Sequence, residues 1–151
     1  MLSKPLFPTA LALLAFVSAA LAHEGATGVV KERMDLMDSQ KEAMKVLGAM
    51  AKGKVPFDAA KASEAAGEIE KTSIQIPELF PEGTGGHPSE AKPEVWTKWE
   101  EFTGDAEGLQ TAANDLILAL EAPGAPEWKA KFKGVIDACK TCHKTFRAEE
   151  E

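Results

Sequence analysis

The stretch PEWKAKFKGVIDACKTCHKTFR, residues 126–147, combines an amphipathic helix with a cysteine motif. Within it, CKTCH at residues 139–143 has the spacing C-x-x-C-H, the attachment signal for c-type haem. Two thiols add across the haem vinyl groups, and the adjacent imidazole becomes an axial ligand of the iron. On a helix Cys139 and His143 share a face, and Cys142 lies one residue round from it. We therefore predict one covalently attached haem c.

A C-x-x-C motif also occurs in zinc sites and in thiol–disulfide active sites. A closed zinc site needs four ligands, and the other histidines, His23 and His87, are not at ligand spacing. A thioredoxin-like site needs a strand–helix setting that the sequence does not show. A simple disulfide gives no role to His143. The chain holds only these two cysteines. A haem-free thiol–disulfide protein stays as an alternative from another functional class.

The N-terminus has the features of a secretory signal peptide. Lys4 gives a short positive region, residues 11–17 form an apolar run, and residues 20–22 offer an A-x-A cleavage site. The apolar run is too short for a membrane anchor. We expect a cleaved signal peptide at residues 1–22, a mature domain at residues 23–151 without a membrane anchor, and export to the bacterial periplasm.

The mature chain is acidic, with 16 lysines and arginines against 24 aspartates and glutamates, a formal charge of −8. A nucleic-acid binder needs clustered Lys and Arg to neutralise phosphates, so we expect no nucleic-acid partner. The charge either steers the protein towards a basic patch on a redox partner or only keeps it soluble. Both interpretations stay open at this point.

Four amphipathic helices are predicted between breaks rich in proline and glycine. The first runs from about Thr27 to Lys52, and the second begins at Asp58 as its N-cap. Residues 76–93 form a loop, expected to cross from one end of a bundle to the other. The fourth helix begins near Pro126 and carries the haem motif. No strand pattern is visible, so the fold class is all-α, an antiparallel four-helix bundle. The third helix has the most regular apolar series: Val95, Trp99, Phe102, Ala106, Leu109, Ala113, Leu116 and Leu120.

This layout resembles the class II cytochromes c, the cytochrome c′ family. The matching residues are 138–147 in the last helix, Leu36-Met37 and residues 46–53 in the first, residues 56–58 after it, and residues 93–96 at the start of the third. The resemblance covers essentially the whole mature chain. It implies a four-helix bundle with haem c on the last helix, transient redox partner proteins, and a possible homodimer through the first two helices.

The family divides by the side chain over the far face of the haem. In one branch an apolar side chain covers a five-coordinate iron, which binds nitric oxide or carbon monoxide. In the low-spin branch a methionine from the first helix is the sixth ligand. Leu36-Met37, followed by residues 47–49, resembles the low-spin branch and implies Met37 as the distal ligand. A thioether suits haem iron, but spacing alone leaves Met34 and Met44 as rivals, and all the methionines fit a core role.

Two arginines lie near the predicted iron ligands. Arg33 is one turn before Met37, and Arg147 is one turn after His143. A guanidinium suits a carboxylate, and the resemblance implies contacts with the haem propionates at both positions. The alternative is a solvated arginine at each position.

The sequence therefore predicts a periplasmic electron carrier with one low-spin haem c. Cys139 and Cys142 attach the haem, while His143 and Met37 are the proximal and distal iron ligands. The alternative function is a five-coordinate cytochrome c′ that binds nitric oxide or carbon monoxide. We expect no enzymatic activity, because no nucleophile–base pair or carboxylate constellation stands out.

Overall fold

A computed structural model describes residues 25–148 of the chain. Helix α1 spans Gly28–Ala51, and α2 spans Ala59–Gln75. A 3-10 turn at Pro77–Leu79 and a loop lead to α3, the single turn Glu94–Thr97. Helices α4, Trp99–Glu121, and α5, Trp128–Phe146, follow. The predicted fold class, an all-α four-helix bundle, is confirmed, and the predicted signal peptide lies outside the described residues.

Local sequence explains the turn between α1 and α2. Gly53 adopts a φ of +66°, a left-handed conformation that favours glycine. The amide of Gly53 then donates to the carbonyl of Met50 over 3.0 Å, which terminates α1. Asp58 starts α2, and its carboxylate accepts a hydrogen bond from the amide of Lys61 over 3.1 Å. The predicted N-cap of the second helix is therefore confirmed.

The third predicted helix is divided in two at Lys98, whose φ and ψ of −124° and 47° are not helical. The indole N–H of Trp96 donates to the carbonyls of Phe80 (2.9 Å) and Pro81 (3.1 Å), which fixes α3 against the preceding loop. Gly85 makes room for this indole, because a Cβ there would lie 2.9 Å from its ring. The break at Lys98 thus lets α3 follow the loop while α4 follows the bundle.

The four long helices form an antiparallel bundle in the order α1, α2, α4, α5. The pairs α1–α2, α2–α4 and α4–α5 pack along their lengths, whereas α1 and α5 make few contacts. A buried hydrogen bond of 3.0 Å from Gln40 to Thr72 joins α1 to α2. Within residues 25–148 no helix is long and apolar enough to cross a membrane. The large side chains that are fully buried include Leu47, Ile69, Val95, Phe102, Leu116 and Val135.

The loop of residues 76–93 stays at one end of the bundle, so the predicted crossing is wrong. Phe80 packs edge-on against Phe102 in the first turn of α4, with ring centroids 4.8 Å apart. Because α2 and α4 are antiparallel, the end of one lies beside the start of the other. The loop also reaches the end of α5, where Ala91 forms an isolated β-bridge with Arg147.

Candidate functional site

The cysteine motif occupies the last two turns of α5. Cys139 and Cys142 are half-buried, pack against the apolar core, and are not joined to each other. Burial raises the pKa of both thiols, that of Cys142 to about 12, with a smaller contribution from the charge of Asp105 on α4. Before any attachment chemistry, both side chains are therefore neutral thiols at physiological pH.

His143 follows on the same helix with an exposed side chain. Burial of part of the ring lowers its pKa, the charge of Arg147 lowers it further, and Glu90 opposes this shift. The shift favours the neutral imidazole, which is the protonation state that a metal ligand requires. Within residues 25–148, no group of three or more His, Cys, Asp or Glu side chains is arranged to hold a metal ion. The motif is therefore better suited to a haem than to a closed zinc site.

A groove separates α5 from α1, the two helices that do not pack directly. It widens into a hollow of about 440 Å³. The α1 wall is formed by Met44, Gly48, Ala51 and Lys52, and the α5 wall by Lys129, Phe132, Lys133 and Ile136. Adding a Cβ to Gly48 would meet nothing within 4 Å, so α1 has open space on this side.

Met37 lies on the α1 wall of this groove at the level of His143. The two helices are antiparallel, and Met44 and Ile136 both line the hollow. Met37 lies seven residues before Met44 on α1, and His143 lies seven residues after Ile136 on α5. Seven residues are almost two helical turns, about 10 Å, so both steps stay on the groove side. Met37 is half-buried there.

The residues present fit a haem c. Cys139 and Cys142 on α5 would hold it through two thioethers, and His143 would add one imidazole ligand. The facing part of α1 supplies apolar side chains and leaves the groove open. Three of the four predicted site residues therefore lie together on α5, and Met37 lies across the groove. Its bond to the iron stays a prediction.

Arg33 has neither of its predicted roles. Its side chain is buried, with 5% of its surface exposed. Its guanidinium donates to the carbonyls of Leu79 (2.8 and 3.0 Å) and Thr84 (3.3 Å) and to the hydroxyls of Thr84 (2.8 Å) and Ser89 (2.7 Å). It also stacks on Phe80, with 3.8 Å to the ring centroid. All five N–H groups are used, so Arg33 clamps the loop and has no donor left for a propionate.

Arg147 is also held by the loop. Its Nε donates to the carboxylate of Glu90 over 2.6 Å, and both side chains are about two-fifths exposed. The amide of Lys92 donates to the carbonyl of Phe146 over 2.9 Å. The loop thus clasps the turn that carries His143. Sequence reasoning missed these contacts because the partners are about 55 residues apart and no local pattern links them.

The chain matches a known protein family and is similar to several named proteins. A family model described as Cytochrome C' matches residues 28–147. Cytochrome c' of Pararhodospirillum photometricum is 36% identical over 121 residues, covering 78% of this chain and 94% of the relative. A cytochrome c prime variant from Alcaligenes xylosoxidans in complex with nitric oxide is 25% identical with a TM-score of 0.74, covering 81% of this chain and 94% of that one.

A further structure of the Alcaligenes xylosoxidans protein, a variant with carbon monoxide bound, is 26% identical with a TM-score of 0.73. It covers 80% of this chain and 94% of that one. These relatives correct the function predicted from the sequence. An iron that binds such a gas needs an open axial position, and ligation by both His143 and Met37 would close it. The predicted low-spin His/Met electron carrier is wrong, and the relatives favour the five-coordinate alternative.

Proposed function

The chain belongs to the cytochrome c′ family, and on this basis we propose that it binds a diatomic gas at a haem iron. Proteins of this family carry covalently bound haem c, so the predicted cofactor is confirmed. Haem c, when bound, would supply an iron able to bind a diatomic gas. The observation that carries the proposal is the open groove between α1 and α5, with the C-x-x-C-H motif on its α5 wall.

The proposed roles of the site residues follow from their places on this groove. Cys139 and Cys142 would hold the haem, and His143 would bind its iron. Met37, level with His143 on the opposite wall, would cover the gas-binding side without binding the iron. Its thioether has no hydrogen-bond donor, and Met44, about two turns further along the same wall, is likewise apolar. An apolar cover of this kind favours neutral ligands such as nitric oxide and carbon monoxide over anions, which would need a donor or a charge.

We place the protein in the bacterial periplasm as a non-enzymatic gas-binding cytochrome with transient redox partners. The A-x-A sequence at residues 20–22 supports export. We further propose a homodimer through α1 and α2. The exposed Val46 on α1, 39% accessible, supports such a contact, because it points away from the groove. If the dimer does not form, sedimentation of the mature holoprotein would show a single species with the mass of the monomer.

The test is optical spectroscopy of the mature holoprotein, expressed with the host's haem-attachment machinery. We expect a ferric spectrum without the weak far-red band of a Met–Fe bond, and rapid carbon monoxide binding after reduction. Met37→Ala should speed carbon monoxide binding by opening the cover, while Met50→Leu, a change at a buried methionine of the same helix, should not.

Two outcomes would contradict this proposal. A far-red band that is lost in Met37→Ala but kept in Met50→Leu would mean that the Met37 sulfur is bound to iron. Absence of any Soret absorption from the purified protein, with a control cytochrome matured normally in the same host, would remove the haem assignment itself.

A further inference from the structure

The charges of this acidic protein are segregated between two neighbouring helices. Helix α4 carries six aspartates and glutamates and no lysine or arginine, a formal charge of −6. Helix α5 carries five lysines and one aspartate, a formal charge of +4. The single acidic residue, Asp137, is paired with Lys133. The helix that bears the cysteine motif is therefore locally basic in a chain that is negative as a whole.

The lysines of α5 lie largely on the groove side and continue across to α1. Lys129 and Lys133 line the α5 wall of the hollow, and Lys52 lies at its α1 wall. Lys140 is eleven residues after Lys129, about three helical turns, and so extends the same face towards His143. Neither Lys129 nor Lys140 forms an ion pair with the described residues, so both charges act on the surroundings.

The floor of the hollow is apolar. Met44, Ala51, Phe132 and Ile136 line it between the lysines. An apolar centre with a charged rim is the usual anatomy of a protein–protein interface. Opposing carboxylates would meet the rim, and α4, with its −6 charge, would orient the molecule so that α5 faces an acidic surface.

We propose that the groove side of α5, with Lys52 of α1, is the docking surface for an acidic partner protein. This surface comprises Lys129, Lys133, Lys140, Lys52 and the apolar floor between them. It rests on the proposed function only in that α5 is taken to carry the haem, and gas binding has no part in it. Other charges near this region include Asp137, which is paired with Lys133, Glu90, which is paired with Arg147, and Lys41 of α1, which is paired with Asp38.

The experiment uses a gold surface coated with a carboxylate-terminated monolayer as a stand-in for the acidic partner. Adsorption of the mature holoprotein is measured by surface plasmon resonance at neutral pH and low ionic strength. We expect adsorption despite the net charge of −8, and loss of it as salt is raised, because exposed charges are screened over about 10 Å at 0.1 M salt.

Two variants with the same change in net charge locate the surface. Lys129→Glu/Lys140→Glu acts on α5, and Lys61→Glu/Lys71→Glu acts on α2, which lies diagonally across the bundle. We expect the α5 variant to lose adsorption by at least about tenfold and the α2 variant to stay within about twofold of the parent. Helix content and Soret absorbance show that each variant is folded and loaded.

Three results would overturn the proposal. The parent protein fails to adsorb, the two variants lose adsorption equally, or the parent binds phosphatidylglycerol vesicles as strongly as the carboxylate monolayer. The last result would assign the surface to a membrane. A failure here leaves carbon monoxide binding untouched, so it is distinguishable from failure of the gas-binding proposal.

Discussion

The bundle has two helix–helix boundaries, here called seams, that are built differently. In the α2–α4 seam the two helices pack against each other, and in the α1–α5 seam a groove separates them. Both α2 and α4 bury alanines at their contact side, Ala62, Ala65 and Ala66 on α2 and Ala106 and Ala113 on α4, and the two helices pack along their lengths. Across the bundle, α1 and α5 keep apart and present Met37, Met44, Cys139 and Ile136 to a groove. One seam is completed by side chains, and we propose that the other is completed by the haem.

The first prediction breaks the α1–α5 seam. Cys139→Ser/Cys142→Ser removes both thioethers and should abolish covalent haem attachment. The free energy of unfolding should fall by roughly 5 kcal/mol or more, because a covalent staple and the group that fills the groove are lost together. Urea unfolding followed by circular dichroism, with the pyridine haemochrome assay for attachment, measures both effects.

A haem-free double variant that is as stable as the holoprotein would contradict this view of the α1–α5 seam. In that case α1 and α5 would close on each other without the group. The matched control is Ser63→Ala on α2, which keeps both cysteines and should leave haem content unchanged.

The second prediction acts on the side-chain seam. Leu116 on α4 is fully buried, and Leu116→Ala should lower the free energy of unfolding by about 3 kcal/mol through lost contacts and the cavity left behind. Because Leu116 lies on α4 and not on the two helices that border the groove, the optical spectrum should stay that of the parent. Leu118→Ala, two residues on at a 56% exposed position, is the control and should cost much less. A changed haem spectrum in Leu116→Ala would show that the two seams are coupled.

Sequence patterns predicted one of these seams better than the other. The regular apolar series of α4 and the C-x-x-C-H motif are local, so the helices, the fold class and the cysteine site follow from spacing along one helix. The groove depends on how α1 and α5 are held apart, and no local pattern encodes that distance. The function predicted from the sequence is wrong at the same place, because the Leu36-Met37 pair resembles the low-spin branch whereas relatives of this fold bind a gas.

Charge illustrates the same limit. The net charge of −8 is readable from the sequence, but its consequence depends on where the charges lie. The structure separates these charges: helix α4 has a formal charge of −6 and helix α5 has a formal charge of +4. The predicted steering towards a basic patch on a redox partner stays a prediction, and it takes no account of this division of charge between α4 and α5.

The third prediction concerns the loop that clasps the end of α5. Arg33→Leu removes five hydrogen bonds and the stacking on Phe80. Water can reach the freed carbonyls of the surface loop, so the net cost should be about 2 kcal/mol rather than the sum of five bonds. Hydrogen exchange should accelerate at residues 79–92, while α2 and α4 stay protected.

Arg33→Lys is the matched control, because it keeps the charge but cannot make the planar set of contacts. It should recover only a minor part of the lost protection. Equal protection in Arg33→Leu and the parent would mean that the loop is held by Trp96 and Glu90 without the arginine.

The last and smallest prediction adds a methyl group to the α1–α5 seam. Gly48 lies inside α1, and an added Cβ would meet nothing within 4 Å. Gly48→Ala should therefore stabilise the protein by about 0.5–1 kcal/mol, because alanine loses less backbone entropy than glycine in a helix. Gly85→Ala is the opposing control, since its Cβ would lie 2.9 Å from the Trp96 ring and should destabilise the loop. Thermal unfolding of the two holoprotein variants should show a higher midpoint temperature for Gly48→Ala and a lower one for Gly85→Ala than for the parent. A destabilised Gly48→Ala with reduced haem content would mean that the bound group itself occupies the space beside Gly48, which would place it deeper along the groove than the level of Met37 and His143.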